Sequence, residues 1–343
     1  MEMTTIAVTG VSGRVGTRLV EALDRSPDTG RIVGLDLREP SFRPRSLAFR
    51  AVDIGTGDLK PLLEGVDTLV HLAALVVPVP DEDVMARVNV EGTRRLLEAA
   101  AATGVSKVVL VSSASVYGAW PDNPLPITED APLRPNPSFA FGVHKAEVER
   151  MLVEWRDEHP GVVTTALRAP FVLGGDTPAA VRALVRRSLP FRVREGAAEV
   201  QYLHVDDLVS ALVLAVEEDL AGPFNVAPDG WLTADAAAAL VGVRPAPPVS
   251  ADVAERLVAR LWASGIGNVP PGSVPLLAHT CVLANDRLRA RGWAPRHRTE
   301  DALMACFEEV GAGEPGRRAR TLTLALGAAG AAALASWAWR RRR

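Results

Sequence analysis

The sequence contains little cysteine, little tyrosine and almost no lysine. Its 343 residues include only two cysteines, Cys281 and Cys306, and two tyrosines. Two distant cysteines exclude a disulfide framework and a cysteine-based metal site, and we predict no metal centre. Of the 38 basic residues only Lys60, Lys107 and Lys145 are lysines, so arginine is the usual cation of this chain. A lysine therefore indicates a position where an amine is needed.

The chain also lacks a strong excess of charge of either sign. Its formal net charge is −3, which gives no general attraction to nucleic acid, and we predict a small-molecule partner instead. A hydrophobic content of 48% with 23% charged residues is typical of an ordered globular protein, and 343 residues suffice for two lobes. The first residues show no signal-peptide pattern, so we expect a cytoplasmic location.

Glycine is concentrated where the first strand is predicted to end. Residues 9–16 have the sequence Thr-Gly-Val-Ser-Gly-Arg-Val-Gly, which follows the apolar residues 6–8 and precedes a segment with helical apolar periodicity. A strand, turn and helix of this kind let the backbone approach a dinucleotide pyrophosphate, and the helix N-terminus offers free N–H groups. The spacing is G-x-x-G-x-x-G rather than G-x-G-x-x-G, so a glycine turn without a ligand is the alternative.

An aspartate ends the second predicted strand, residues 31–37. Asp36 lies 20 residues after Gly16, where a carboxylate accepts hydrogen bonds from the adenosine ribose hydroxyls of a dinucleotide. A carboxylate at this place repels a 2′-phosphate, so the pattern favours NAD over NADP, although Arg38 lies nearby. The alternative is a turn residue at the end of the strand.

Predicted strands and helices alternate along the first half of the chain. Such alternation is typical of an α/β fold with a Rossmann-type, doubly wound parallel sheet, whose ligands bind beyond the carboxyl ends of the strands. Further strands are predicted at 48–54, 66–74, 105–113 and 162–170, and helices at 59–64, 89–102 and 139–158. The predicted regions are a NAD-binding domain (1–170, with a helix near 206–218 packed on it), a smaller, mostly helical substrate lobe (171–310), and a linker with an apolar, Arg-flanked tail (311–343).

Several motifs in a fixed order resemble the extended short-chain dehydrogenase/reductases of the NAD-dependent epimerase/dehydratase family. The resemblance implies a Rossmann fold and NAD as the cofactor. The matching motifs are the glycine turn, Asp36, Asp53-Ile54, His71-Leu72-Ala73-Ala74, Asn89, Ser112-Ser113-Ala114-Ser115-Val116-Tyr117-Gly118, Lys145 and His204-Val205-Asp206-Asp207-Leu208. The residues that the resemblance assigns to NAD are Gly10, Ser12, Gly13, Arg14, Val15, Gly16, Asp36, Asp53, Ile54, Leu72, Ala73, Ala74, Asn89 and Lys145.

The resemblance also implies a catalytic serine, tyrosine and lysine, the last two four positions apart on one helix. In this family the lysine favours the phenolate of the tyrosine, which exchanges a proton with the substrate while hydride moves to or from nicotinamide. Ser113 matches the serine and Lys145 the lysine, but Phe141 occupies the position of the tyrosine. A phenyl ring exchanges no proton, and the loss of a general acid–base group costs about 10²–10⁴ in rate.

Three explanations of Phe141 are open from the sequence. Tyr117, in the Val-Tyr-Gly that follows Ser113, is a candidate substitute for the missing acid–base group. Alternatively, the chain binds NAD without effective turnover, because Lys145 still serves to hold the nicotinamide ribose. The third explanation is an introduced Tyr→Phe change that traps a complex. His144 is a weaker candidate acid, since it points to a different helix face from Lys145.

Two substrate motifs of nucleotide-sugar enzymes are missing. Such family members carry an asparagine three residues after the position of Arg168, where this chain has Phe171, and an arginine for the diphosphate, where it has Val200 beside Gln201. These departures favour an NAD-dependent oxidoreductase that acts on an alcohol or ketone of a lipophilic, sterol- or isoprenoid-like substrate. A nucleotide-sugar epimerase or dehydratase and a catalytically impaired NAD-binding or regulatory protein are the alternatives. A homodimer is considered for any of them.

The tail combines an uncharged segment with arginines at both ends. Residues 321–339 contain no charge, and as a helix these 19 residues would be about 28 Å long, close to the thickness of a bilayer core. Trp337 and Trp339, next to Arg340, suit a membrane interface. Because the segment is mostly alanine and glycine, three states are open: a spanning anchor to the cytoplasmic face, a helix lying on the membrane, and a tail in solution.

Deletion of residues 317–343 is expected to move the protein from the membrane fraction to the soluble fraction. The reason is that the deletion removes the uncharged segment together with the arginines on both sides of it. The measurement is ultracentrifugation of lysates that express the full chain and the shortened chain, followed by quantitative immunoblotting. An unchanged distribution would contradict a membrane anchor in this tail.

Overall fold

Short apolar segments pair into one parallel sheet in the part of the chain that the computed structural model describes, residues 3–42, 44–76, 81–196, 198–264 and 269–308. The strands of these residues are β1 Thr4–Thr9, β2 Thr29–Asp36, β3 Leu47–Ala51, β4 Thr68–His71, β5 Lys107–Ser113, β6 Val163–Ala169, β7 Phe171–Leu173, β8 Glu199–Val200, β9 Tyr202–His204, β10 Gly222–Asn225 and β11 Leu232–Thr233. The main sheet has the order β10-β6-β5-β4-β1-β2-β3. The strand order reverses at β1, where open α/β sheets bind their ligands.

Helices connect the strands and cover both faces of the sheet. A Rossmann-type doubly wound sheet, as predicted, is therefore confirmed. The helices are α1 Arg14–Leu23, α2 Lys60–Leu63, α3 Glu82–Ala86, α4 Gly92–Thr103, α5 Ala140–Glu158, α6 Ala179–Ser188, α7 Val205–Glu217, α8 Ala234–Leu240, α9 Ala251–Ala263, α10 Val274–Ala278, α11 Asp286–Arg289 and α12 Thr299–Phe307. A π-helical turn, Arg87–Glu91, joins α3 to α4, and a 3₁₀ turn, Ala114–Val116, follows β5.

The alternation of side chains along β1 shows how the two faces are filled. Ile6 and Val8 point into a core shared with α1 and α7, where Leu212 is also fully buried. Ala7 points to the opposite core, which α2, α4 and α5 cover. A parallel strand that is buried on both faces needs a continuous apolar sequence, which explains the unbroken run at the start of the chain.

Beyond residue 170 the chain builds smaller units and also completes the main sheet. β7 pairs in parallel with β9, β8 pairs antiparallel with β11, and α6, α8 and α12 share a separate core. β10 returns to the main sheet beside β6. Residues Met1–Glu308 form one compact unit, so the proposed division at residue 170 concerns lobes of that unit.

The structure corrects the bounds of three predicted elements. The third strand ends at Ala51 rather than residue 54, because Asp53 starts a turn in which its Oδ1 accepts from the Gly55 N–H at 2.9 Å. The fourth ends at His71 rather than residue 74, because the next two N–H groups donate to the Thr9 hydroxyl. The helix predicted at 89–102 is preceded by α3 and the π-helical turn.

The predicted linker and tail, residues 311–343, lie outside the described residues. Within the described ranges, every helix is too short or too polar to cross a bilayer.

Candidate functional site

The glycine turn between β1 and α1 lies directly against the end of β4. Gly10 has a positive φ of +70°, and a Cβ at this residue would lie 2.9 Å from the backbone nitrogen of Ala73. A Cβ at Gly16 would strike the Gly10 carbonyl oxygen. No side chain caps the N-terminus of α1 at Gly13, so the first N–H groups of this helix face the turn. This cradle, which any Cβ would fill, fits a dinucleotide pyrophosphate.

Asp36 lies at the tip of β2 beside this turn. Its Oδ2 accepts from the Ser12 N–H at 3.0 Å, and its Oδ1 accepts from the Leu37 N–H at 2.7 Å. The Ser12 hydroxyl donates to the Arg38 carbonyl. The carboxylate is thus fixed next to the turn at the carboxyl edge of the sheet, where a ribose of a bound dinucleotide would need an acceptor.

A chain of side-chain hydrogen bonds fixes the ends of β1 and β4 to α4. Thr93 Oγ1 donates to the Asn89 carbonyl, so it accepts from His71 Nε2 at 2.9 Å. His71 Nδ1 then accepts from Thr9 Oγ1 at 2.7 Å, and Thr9 Oγ1 in turn accepts from the Leu72 and Ala73 N–H groups. Burial, with a smaller effect of the nearby Lys145 charge, lowers the pKa of His71 to about 3, so the ring is neutral.

Asn89 holds the segment that follows β4. Its amide oxygen accepts from the Leu75 N–H at 2.7 Å, and its amide nitrogen donates to the Leu75 carbonyl at 3.1 Å. The Leu72-Ala73-Ala74 segment therefore runs past the glycine turn in a fixed position. Ile54 is buried against Gly92 at the start of α4, below the turn at Asp53.

Arg14, the first residue of α1, connects this helix with β7 and with the segment after it. Its Nη2 donates to the Val172 carbonyl at 2.7 Å, and its Nη1 lies 3.4 Å from Asp176 Oδ1 and from Thr177 Oγ1. Burial lowers the pKa of Arg14, and Asp176 partly offsets this effect. Val15, its neighbour in the first turn of α1, packs against the core that this helix covers.

The amine of Lys145 reaches the end of β5 from the second turn of α5. Lys145 is only 7% exposed, and its Nζ donates to the Val111 carbonyl at 2.8 Å. The Phe141 ring, one turn earlier on the same helix, has its centroid 5.8 Å from this Nζ. Burial lowers the pKa of Lys145 to about 8, and Glu149 offsets part of the effect.

Ser113 lies two residues beyond Val111, at the last position of β5. Its hydroxyl oxygen accepts from the Ser115 N–H at 3.2 Å and from the Ser115 hydroxyl at 2.9 Å. Gly142 allows α5 to approach this turn, since a Cβ there would lie 2.9 Å from the Ser115 carbonyl oxygen. The structure thereby brings Ser113, Lys145 and Phe141 to one end of the sheet.

Tyr117 lies in a buried polar cluster near the carboxyl ends of β6 and β10. Its hydroxyl donates to Asn225 Oδ1 at 2.8 Å and accepts from Arg168 Nη1 at 2.6 Å. Glu149 Oε2 accepts from Arg168 Nη2 at 2.6 Å, and Ser112 donates its hydroxyl to the same carboxylate. Burial raises the pKa of Tyr117 to about 12, against the lowering effect of Arg168. Both hydrogen-bonding directions of the phenol are therefore occupied.

Another cluster, outside this edge, brings possible metal ligands together. Atoms of His204, Asp206 and His297 lie within 4.8 Å of one another. The two imidazole rings are stacked, with centroids 3.9 Å apart and planes 24° apart. A metal ion binds in the plane of each imidazole ligand, and nearly parallel stacked rings offer no shared point at bonding distance. The role that the structure shows for His204 is that of the N-cap of α7, where its Nδ1 accepts from the Asp206 N–H.

Replacement of Gly10 by alanine is expected to weaken NADH binding at least about 10-fold, since the new Cβ meets the backbone of Ala73 and blocks the cradle. The measurement is NADH fluorescence titration. Gly65→Ala is the matched control, because Gly65 has the same φ of +70° and none of the described residues lies within 4 Å of the new Cβ. Equal losses of NADH affinity in the two variants would contradict a role for this close approach.

Acid is expected to destabilise the fold through His71. Its folded pKa of about 3 lies below its ordinary value of 6.5, so the unfolded chain binds the extra proton. The free energy of unfolding therefore falls as the pH decreases from 6.5 toward 3, by up to about 1.4 kcal/mol per pH unit from this residue. Urea unfolding between pH 7 and pH 5 measures this slope.

A smaller slope is expected for His71→Gln, whereas His279→Gln, outside this chain of hydrogen bonds, should keep the slope of the unmodified protein. If His71→Gln keeps the full slope, the imidazole is not the group that takes up the proton.

Comparisons with known proteins bear on the same residues. A family model described as "NAD dependent epimerase/dehydratase family" matches residues 6–227. Sterol-4-alpha-carboxylate 3-dehydrogenase, decarboxylating, of Mus musculus is 29% identical over 61% of this chain and 58% of its own length. UDP-glucose 4-epimerase of Azospirillum brasilense is 30% identical over 92% of this chain and 96% of its own length. The chain spans only 53–67% of the length of several of the curated relatives that it matches.

The fold is similar to that of MoeE5, solved in complex with UDP-glucuronic acid and NAD. The TM-score is 0.68 at 25% sequence identity, with 88% of this chain and 97% of that chain covered. The family match extends from β1 beyond β10, across the whole main sheet. The chain belongs to the NAD-dependent epimerase/dehydratase family, whose cofactor is NAD.

Proposed function

We propose that the chain catalyses NAD-dependent oxidation or reduction at an alcohol or ketone of a lipophilic, sterol- or isoprenoid-like substrate. The observation that carries the proposal is the buried Lys145 amine, which donates to the Val111 carbonyl two residues before Ser113, at the sheet edge that also holds the glycine turn. NAD, when bound, supplies or accepts the hydride. In the proposed site the Ser113 hydroxyl orients the substrate oxygen, because it accepts twice from Ser115 and keeps its own proton for another acceptor.

The expected cofactor contacts follow from the placement of the predicted residues. The cradle at Gly10, Gly13 and Gly16 would take the pyrophosphate, and Asp36 would take the adenosine ribose and disfavour NADP. Lys145 would hold the nicotinamide ribose. The remaining residues proposed for NAD lie around these groups: Ser12, Arg14, Val15, Asp53, Ile54, Leu72, Ala73, Ala74 and Asn89.

The proposed lipophilic substrate is supported by what Gln201 does in the fold. Its amide oxygen accepts from the Leu283 N–H at 3.0 Å, and its amide nitrogen donates to carbonyls, that of Leu283 among them. Gln201 is 6% exposed, and its amide forms hydrogen bonds with the backbone instead of facing a diphosphate. Phe171, which stands where nucleotide-sugar enzymes carry an asparagine, is 45% exposed. The sterol dehydrogenase of Mus musculus among the relatives agrees with this substrate class.

Two alternatives rest on their own observations. The Azospirillum brasilense relative matches nearly the whole chain and supports a nucleotide-sugar epimerase or dehydratase. Phe141 supports an NAD-binding protein with little turnover. The contacts of Tyr117 with Asn225 and Arg168 favour a structural role for it and weigh against its service as the substitute acid.

Location and assembly are separate proposals. The tail at 321–339 is proposed to attach the protein to the cytoplasmic face of the membrane, and a homodimer is proposed for the body of the chain. We also propose that the chain is divided into a NAD-binding domain (1–170), a substrate lobe (171–310) and a linker with a tail (311–343).

Phe141→Tyr is expected to raise a turnover that is already measurable in the unmodified chain, by up to about 10²-fold, because it adds a phenol one helical turn from Lys145. The assay follows NADH formation at 340 nm with a 3β-hydroxysteroid and, in parallel, NADH binding by fluorescence. The control alcohol is UDP-glucose, which the unmodified chain should not convert. Its products are separated by chromatography, because epimerisation or dehydration returns the hydride to the sugar and leaves no net NADH.

Each alternative has its own outcome in this assay. Conversion of UDP-glucose but not of the steroid would replace the proposal by the nucleotide-sugar alternative. NADH binding by both proteins with turnover only after Phe141→Tyr would identify the natural chain as a binding protein.

A further inference from the structure

Lys145 is a buried amine without a carboxylate partner. The described residues place no Asp or Glu oxygen within salt-bridge distance of its Nζ, whose acceptor is the Val111 carbonyl. Arginine is the usual cation of this chain, yet a lysine stands here. A guanidinium never gives up its proton in a protein, whereas a desolvated ammonium does so readily. The site therefore holds a basic group that, unlike a guanidinium, can both donate and accept a proton near neutral pH.

The charges around Lys145 come from several elements. His71 of β4 is neutral, because burial keeps its pKa near 3. Glu149 lies one turn further along α5, but its carboxylate accepts from Arg168 of β6 and from Ser112 of β5. The guanidinium of Arg168 thus offsets much of the negative charge that would otherwise keep the ammonium protonated. This arrangement agrees with a pKa of about 8 for Lys145.

Other candidate proton carriers near this edge are occupied or badly placed. The Tyr117 phenol is fixed between Asn225 and Arg168. Burial raises the pKa of the Cys281 thiol to about 12, and the thiol donates to the Ala114 carbonyl. His144 precedes Lys145 by one residue and so points about 100° away around the helix. Ser113 offers a hydroxyl but needs a base to accept its proton.

We propose that Lys145 itself exchanges the proton with the substrate oxygen, in place of the tyrosine that Phe141 replaces. The proposal rests on the proposed function and names the proton carrier of that site. In oxidation, the neutral amine takes the hydroxyl proton as the carbon gives up its hydride to NAD, and a ketone and an ammonium result. In reduction, the ammonium returns this proton to the carbonyl oxygen as the carbon receives the hydride. The Ser113 hydroxyl lies at the same edge to orient that oxygen.

The sign of the pH dependence follows from this assignment. With a pKa of about 8, roughly a tenth of the amine is neutral at pH 7. Oxidation needs the neutral amine, so its rate should rise with pH and level off above pH 8. Reduction needs the ammonium, so its rate should fall above the same pH.

The scarcity of lysine allows a direct measurement. A protein labelled with ¹³C at the lysine ε-carbon gives signals from only Lys60, Lys107 and Lys145, and Lys145→Arg identifies the third. Its chemical shift is expected to titrate near pH 8 in the full chain, with and without NADH. The signal of Lys60, which is exposed, serves as the internal reference for the chemical shift. A Lys145 signal that titrates at the ordinary value of a lysine, 10.5, would overturn the proposal.

Kinetics with Lys145→Arg provide the second measurement. Arginine keeps the charge that holds the cofactor but exchanges no proton, so turnover should fall by about 10²–10⁴ while the NADH dissociation constant changes less than about 3-fold. Lys60→Arg is the matched control and should leave turnover and NADH binding unchanged. Retention of turnover in Lys145→Arg would overturn the proposal.

The alcohol used in these assays is the one that the Phe141→Tyr variant oxidises, either the 3β-hydroxysteroid or UDP-glucose. An alcohol that Phe141→Tyr oxidises but the natural chain does not would show that Lys145 does not replace the tyrosine. If neither protein oxidises either alcohol, the proposed substrate class fails on its own, and the titration of the Lys145 signal decides the proposal about the proton.

Discussion

The close approach of the glycine turn to the end of β4 is the constraint on which the site depends. At Gly10 the backbone passes so near Ala73 that no side chain fits, and the Thr9–His71–Thr93 hydrogen bonds keep the two strand ends together. Each of these three side chains is buried, and leaving one of them without its hydrogen-bond partner would destabilise the fold by about 1–3 kcal/mol. Because β1 and β4 are neighbours in a parallel sheet, fixing their carboxyl ends also fixes the edge where Asp36 and Ser113 lie.

Much of the sheet and of this edge follows from local sequence patterns. Apolar runs of strand length, each closed by a glycine, aspartate or serine, predict parallel strands, and the fixed edge of such a sheet brings Gly10, Asp36 and Ser113 together. The limits of the elements were less predictable, since they depend on distant partners. β4 stops at His71 because the following N–H groups bond to Thr9, a residue 62 positions earlier. Periodicity carries no information about such a partner.

The buried polar cluster could not be read from the sequence for the same reason. Glu149 and Arg168 lie on different elements, and Asn225 reaches Tyr117 only because β10 joins the far edge of the sheet. The one available signal was Glu149 at a distance of four residues from Lys145, which places the two on one face of α5. That spacing suggests an ion pair between them. The fold instead gives the carboxylate to Arg168, whose planar guanidinium binds it through two nitrogens.

The pairing of Glu149 with Arg168 affects both the stability of the site and its chemistry. A carboxylate 3 Å from an ammonium holds the proton on the lysine, so a direct Glu149–Lys145 pair would make Lys145 a fixed charge. Pairing Glu149 with Arg168 satisfies the buried carboxylate and leaves Lys145 with a carbonyl, which accepts a hydrogen bond from the ammonium without a full opposing charge. The Phe141 ring lies 5.8 Å from the Lys145 Nζ, a contact that favours the charged form, so burial and not this ring lowers the pKa of Lys145. The amine is thus buried against a carbonyl, while the neighbouring carboxylate is paired with Arg168.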